Sequence, residues 1–274
     1  MQFMIIRKAD AATEDGLPPV PGLFEDMEHF NARLAEEGRL GLALGLRPSR
    51  HAVRLRMGPG GAGITDGPFA QSKELVAGFT IIEAASKEAA IELLRQWPAS
   101  DAAATGEVTL ELRETGCPGG CTEVASPMEI EMDGGGEGGD NEAGRYVILL
   151  RADQDSERDA IPARHKLDAL DAFNLAQAEA GVLLAGDGLK SSARGARVTL
   201  KGGRISAIDG PFAEAKELIA GFWMIRAASM QAAIAWARRL PYPTGPEVEV
   251  EIREVMTLAD LGLAPGQPRE VAGR

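Results

Sequence analysis

A chain of 274 residues with 45% apolar content and a net charge of −12 holds enough hydrophobic material for two ordinary domains, and its acidity excludes a phosphate backbone as partner, so no nucleic acid is expected. Two cysteines make no disulfide framework; the apolar stretch in the opening MQFMIIRKAD is far too short for a signal peptide, and no run reaches membrane-spanning length. A cytoplasmic protein with no membrane contact is the expectation.

In chain order, residues 3–7 form a continuous apolar run, as in a strand covered on both faces. Leu23, Met27, Phe30 and Leu34 follow at spacings of 4, 3 and 4, one face of a helix that Gly38 ends. Residues 40–46 and 52–57 read as two strands. Gly58-Pro59-Gly60-Gly61-Ala62-Gly63 satisfies a dinucleotide-loop string, but no helix follows it, so it reads as a hairpin loop. Then comes Asp66-Gly67-Pro68-Phe69. Pro68 suits the first position of a short helix over residues 69–75. Asp66 is then either a turn residue capping that helix or a carboxylate in a pocket, with Lys73 its partner or merely solvated. A cap role predicts a loss of about 1 kcal/mol for Asp66→Asn and for Asp209→Asn. Residues 78–83 form the next strand, Ser86 caps a helix over 87–97, and residues 108–113 alternate as a final strand.

Residues 115–144 hold nine glycines, seven acids and no Lys or Arg, which reads as an acidic linker with one alternating segment at 128–132 that could dock as an edge strand. Cys117 and Cys121 lack further ligands and read as loop thiols, with no metal site. Past the linker the sequence starts again. Residues 66–98 and 209–241 align without a gap and share 20 of 33 identities; Phe30-Asn31 recurs as Phe173-Asn174, and Lys73 as Lys216. The expected domains are 1–114, a linker at 115–143, a second unit at 144–256 and a loose tail at 257–274. Each unit reads β-α-β-β-α-β, two helices crossing one face of a largely antiparallel sheet, which makes the class α+β. Packing the bare sheet faces on each other about a pseudo-two-fold axis explains the duplication.

The candidate site residues are Asp66, Phe69, Lys73 and Asn31 with their counterparts Asp209, Phe212, Lys216 and Asn174. No histidine occurs at equivalent positions, so His29, His51 and His165 cannot give one imidazole to each unit. The stretch Asp-Gly-Pro-Phe-Ala-x-x-Lys-Glu followed by Ala-Gly-Phe resembles the YCII-related, or DGPF, family across both units. The resemblance implies two tandem ferredoxin-like domains of the dimeric α+β barrel type packed as a pseudo-dimer, in a bacterial protein with neighbours among genes of extracytoplasmic-function sigma factors. In one branch a helix-borne His stands eleven residues before the glycine ending the first helix; Met27 and Leu170 hold those positions here, so that His–Asp pair does not carry over. Two functions remain open: a protein binding or transforming a small molecule without a cofactor, or a non-catalytic regulatory module. A higher oligomer is compatible with either.

Overall fold

The computed structural model describes residues 1–16, 20–69, 75–103, 105–120, 143–213, 218–257 and 259–261. The first repeat runs β1 (Gln2–Lys8), α1 (Ala11–Asp15), α2 (Leu23–Glu36), β2 (Leu40–Gly45), β3 (Val53–Gly58), β4 (Gly61–Asp66), β5 (Val76–Glu83), α3 (Lys87–Leu93) and β6 (Glu107–Glu114). The second runs β7 (Gly144–Arg151), α4 (Arg164–Glu179), β8 (Leu183–Gly188), β9 (Ala196–Lys201), β10 (Arg204–Asp209), β11 (Ile219–Ala227), α5 (Met230–Ala237) and β12 (Val248–Glu254). No helix among the described residues is long and apolar enough to cross a membrane.

Local signals act where the sequence puts them. The Ser86 hydroxyl accepts from the Ala89 N–H at 3.2 Å, and Gly38 and Gly181 take the left-handed conformation just past α2 and α4. The helix expected over 87–97 is shorter, since α3 tightens into a 3-10 turn at Leu94–Gln96. The Gly58–Gly63 loop shrinks to a turn at Pro59 and Gly60, because Gly61–Asp66 pairs as β4. The segment at 128–132 lies outside the described residues, as does most of the short helix expected over 69–75.

Two parts expected to be loose are tied down. Thr115 bridges Leu189, and Cys117 is disulfide-bonded rather than a free thiol, while Cys121 lies outside the described residues. In the expected tail, Asp260 accepts from Arg47 at 2.6 Å, which fastens it to the first repeat.

The strands form two six-stranded antiparallel sheets, in the orders β2-β5-β1-β6-β9-β10 and β8-β11-β7-β12-β3-β4. Each sheet therefore takes its last two strands from the other repeat. Hairpin β3–β4 leaves its own unit to pair with β12, and β9–β10 pairs with β6. The cross-strand partners suit the exchange: Glu107 faces Lys201, Thr109 faces Thr199, Glu111 faces Arg197, Glu249 faces Arg56 and Glu251 faces Arg54.

The apolar run of β1 divides by alternation. Phe3 and Ile5 pack with Phe30, Leu34 and Trp97 on the helix side, whereas Met4 and Ile6 share a cluster with Val147, Leu149 and Met224 of the other repeat. Phe79 meets its own counterpart, Phe222, with ring centroids 5.1 Å apart.

Beside these apolar layers lies a buried ionic seam, present twice. The Glu251 carboxylate is held by Arg151 at 2.6 Å, Arg253 at 2.9 Å and Arg54, from the exchanged hairpin, at 3.0 Å. Glu111 stands likewise among Lys8 at 3.3 Å, Arg113 at 3.1 Å and Arg197 at 3.8 Å. Burial alone would push both carboxyls up, but the surrounding cations hold each below the ordinary 4.5. A carboxyl depressed in the folded state contributes stability that is fully present above its unfolded value and is lost as pH falls through the folded one. Unfolding free energy, followed by urea melts, is therefore expected to decline as pH drops below the ordinary glutamate value. Glu251→Gln should flatten that decline and cost about 3–5 kcal/mol at neutral pH by leaving Arg253 and Arg151 buried without their acid.

Candidate functional site

The repeated Asp-Gly-Pro-Phe segment begins where the exchanged hairpin ends. Asp66 closes β4 with its side chain in solvent; Asp209 closes β10, 68% exposed, and accepts from Lys87 of the first repeat at 2.7 Å. The Gly67–Pro68 and Gly210–Pro211 bonds are cis. A Cβ on Gly67 would lie 1.8 Å from the Ser49 carbonyl oxygen, and one on Gly210 would lie 1.9 Å from that of Ser192, so the chain passes there only as glycine.

Beyond the proline the chain closes a clasp. The Phe69 N–H donates to the Ser49 hydroxyl at 3.2 Å, and that hydroxyl and the Ser49 N–H both donate to the Glu14 carboxylate. Phe212, Ser192 and Glu157 repeat the arrangement, with a first bond of 3.0 Å. The Phe69 ring lies under the Arg54 guanidinium, 4.1 Å from its centroid, and Phe212 under Arg197 at 4.3 Å. Arg113 of the first repeat reaches Glu157 of the second at 3.2 Å, and Arg253 approaches Glu14 at 3.9 Å. The motif thus ties the base of each exchanged hairpin into the buried seam.

For Asp209 this replaces the capping expectation, since the Phe212 N–H goes to the Ser192 hydroxyl and the carboxylate goes to Lys87. For Asp66 the Phe69 N–H is likewise taken by Ser49, while Ala70, the other donor open to a cap, lies outside the described residues; neither carboxylate lines the cavity beside the long helix of its repeat. Lys73 and Lys216 lie outside the described residues. Neither Ser49 nor Ser192 could be singled out from its neighbours by type alone, but each recurs at the 143-residue offset, as do Glu14 and Glu157, and the repeat was the signal available.

Each repeat has a cavity between its long helix and its sheet; in the second it measures about 280 Å³, and in the first it continues round the edge strand β2 to Leu42, Leu44, Phe79 and Arg145 on the inter-repeat side, about 760 Å³ in all. Asn31 lines the larger and Asn174 the smaller, and in both the amide Oδ1 is buried without a hydrogen-bond partner among the described residues. His51 lines the larger cavity, while His29 and His165 line neither. Among the described residues no three His, Cys, Asp or Glu side chains are grouped to hold a metal ion.

The floor of the larger cavity is polar. Arg7 donates to Asp101 at 2.9 Å and to Asp10 at 2.8 Å, and the Trp97 indole N–H donates to the same Asp101 at 2.9 Å. Burial pulls the Arg7 guanidinium down, but Asp101 and Asp10 outweigh it and keep the group firmly charged. The smaller cavity has Leu150 in place of Arg7 and Trp223 in place of Thr80, and the Trp223 ring stacks edge-on against Tyr242 at 5.8 Å. Leu150 and Trp223 narrow the helix side of the second cavity, which also lacks the extension past the edge strand. The second repeat also supplies wall to the larger cavity, through Arg145 and Val255 to Thr257.

A duplicated α+β unit with this clasp defines the class, and comparison with known proteins names it. The chain belongs to the YCII-related domain family, whose profile matches residues 1–111 and 144–258. An uncharacterized protein of Rhizobium meliloti (strain 1021) is 34% identical over 73 residues, which are 27% of this chain; the match spans 59% of that protein's length. Among solved structures, the aldoxime dehydratase OxdRE in complex with butyraldoxime aligns over 94% of this chain and 80% of its own at 10% identity, with a TM-score of 0.23, too low to bear on fold or chemistry.

Ser192→Ala is expected to lower unfolding free energy by about 1–3 kcal/mol, since it leaves the Phe212 N–H without its acceptor and takes the hydroxyl donor from the Glu157 carboxylate. Asp66→Asn should stay within about 0.5 kcal/mol of the parent. Chemical melts of the two variants side by side check both.

Proposed function

We propose that this protein binds a small molecule in the cavity of its first repeat, and that the two repeats pack as an intramolecular pseudo-dimer whose second cavity has been filled in. The observation that carries the reading is the contrast between equivalent positions. The first repeat, with Arg7 and Thr80, has a space of about 760 Å³, within the range of small-molecule sites, and the second, with Leu150 and Trp223, one of about 280 Å³. Apolar walls from Phe24 and Met27 on the helix side and from Leu42 and Leu44 past the edge strand, with a few fixed polar groups, suit a ligand of that size. The reciprocal hairpins and the Phe79–Phe222 contact support the pseudo-dimer. The reading is one of binding: Asp101 is committed to Arg7 and Trp97, an anchor for the floor rather than a carrier of protons.

Thr80→Trp tests it by giving the first repeat the residue that plugs the second. Metabolites that raise the melting temperature of the wild-type chain in a thermal-shift screen are expected to lose that effect in the variant, while the unliganded melting temperature holds or rises. Ligands that stabilise Thr80→Trp as well as the parent would place binding elsewhere and sink the proposal.

A further inference from the structure

Resting on the reading of the first-repeat cavity as a binding site, we infer that its ligand is a monocarboxylate with an apolar body, and that Arg145 of the second repeat holds the carboxylate. The charges around the cavity are matched with one exception in the wall and one at the rim. Arg7 is neutralised by Asp10 and Asp101. Arg47 is neutralised by Glu254 and Asp260, and Asp260, which burial alone would raise, is held down at about 2 by that arginine. Glu28 has interactions of its own. Arg50, at the exposed rim, donates to the Glu14 carbonyl at 3.0 Å. Arg145 is different: half-buried in the cavity wall, its guanidinium has neither a hydrogen bond nor an ion pair among the described residues.

Its surroundings make this unfavourable. In the β7–β11 register Arg145 faces Arg226 directly, and like charges opposite each other repel. At the equivalent place in the first repeat the pair is Gln2 and Glu83, so the arginine pair occurs only in the repeat that lends Arg145 to the larger cavity. A half-buried cation pressed by a second cation is relieved by an anion. A guanidinium's planar fork meets a carboxylate through two parallel N–H bonds. One unmatched arginine in the wall calls for one negative charge, which favours a carboxylate over a phosphate dianion. The apolar lining on the same side of β2, with Leu42, Leu44, Leu46 and Val255, receives an alkyl or aryl body.

Calorimetric titration of the full chain with octanoate and with octanamide, its uncharged match in size, tests the assignment. Octanoate is expected to bind about tenfold or more tightly than octanamide. Arg145→Met should erase that preference with the melting temperature held, and Arg226→Met, which removes the opposing charge outside the cavity, should preserve it. A preference that survives unchanged in Arg145→Met overturns the role of that arginine. Equal binding of the two probes, abolished by Thr80→Trp, overturns the carboxylate while leaving the cavity as the binding site. Failure of both probes to bind at millimolar concentration overturns the inference and leaves the binding reading to the metabolite screen.

Discussion

The architecture turns on two buried carboxylates, Glu111 on β6 and Glu251 on β12, each surrounded by three cations of which one arrives on a strand from the other repeat. A buried ion pair contributes little net stability over an apolar substitute, because removing charges from water offsets the attraction, but leaving one member without its partner is severely unfavourable. Such a group therefore acts chiefly by exclusion. It penalises every arrangement in which β3 or β9 fails to reach a glutamate. The Asp-Gly-Pro-Phe clasp extends the same logic to the end of each hairpin, where Arg54 and Arg197 cover a phenylalanine while engaging the buried acid. The tetrapeptide that marks the sequence is thus part of the fastening of the sheet, and its aspartates face solvent.

Local physics was readable in the chain. The spacing of Leu23, Met27, Phe30 and Leu34 gave α2, Ser86 gave the start of α3, and Gly38 and Gly181 gave the helix ends, because these signals act within a few residues. The exchange of hairpins was hidden for a definite reason. β6 and β12 carry glutamate at equivalent positions, and β3 and β9 carry arginine at equivalent positions, so pairing within a repeat satisfies the same charges as pairing between repeats. The side chains specify a partner strand; the connections decide which copy supplies it.

The cavity was harder still. Arg7 sits at the end of a strand that reads as an apolar run, Asp101 lies in an alanine-rich loop, and Arg145 opens the strand after the linker, so nothing in local pattern joins them. Asn31 and Asn174 stood out only because an amide recurs in mid-helix, and the structure places both on cavity walls. Divergence between the copies is also visible in their cores. Phe30 meets Trp97 and Phe173 meets Trp236, each at 5.3 Å, yet the two tryptophans occupy different positions: Leu93 and Trp97 in one copy correspond to Trp236 and Leu240 in the other. The same volume is filled from one helical turn away. In the first copy this leaves the indole free to donate to Asp101, and so to help build the polar floor.

The reciprocal hairpins carry a consequence for the covalent chain itself. Since each sheet is completed by strands from the opposite copy, cohesion of the molecule does not depend on the peptide bonds between residues 120 and 143. That connection serves to guarantee that unlike copies meet in equal number. A polypeptide severed there would hold together by its ladders and buried acids, whereas free exchange of partners would yield mixtures with two roomy pockets or none. Fusion in tandem is what keeps one of each.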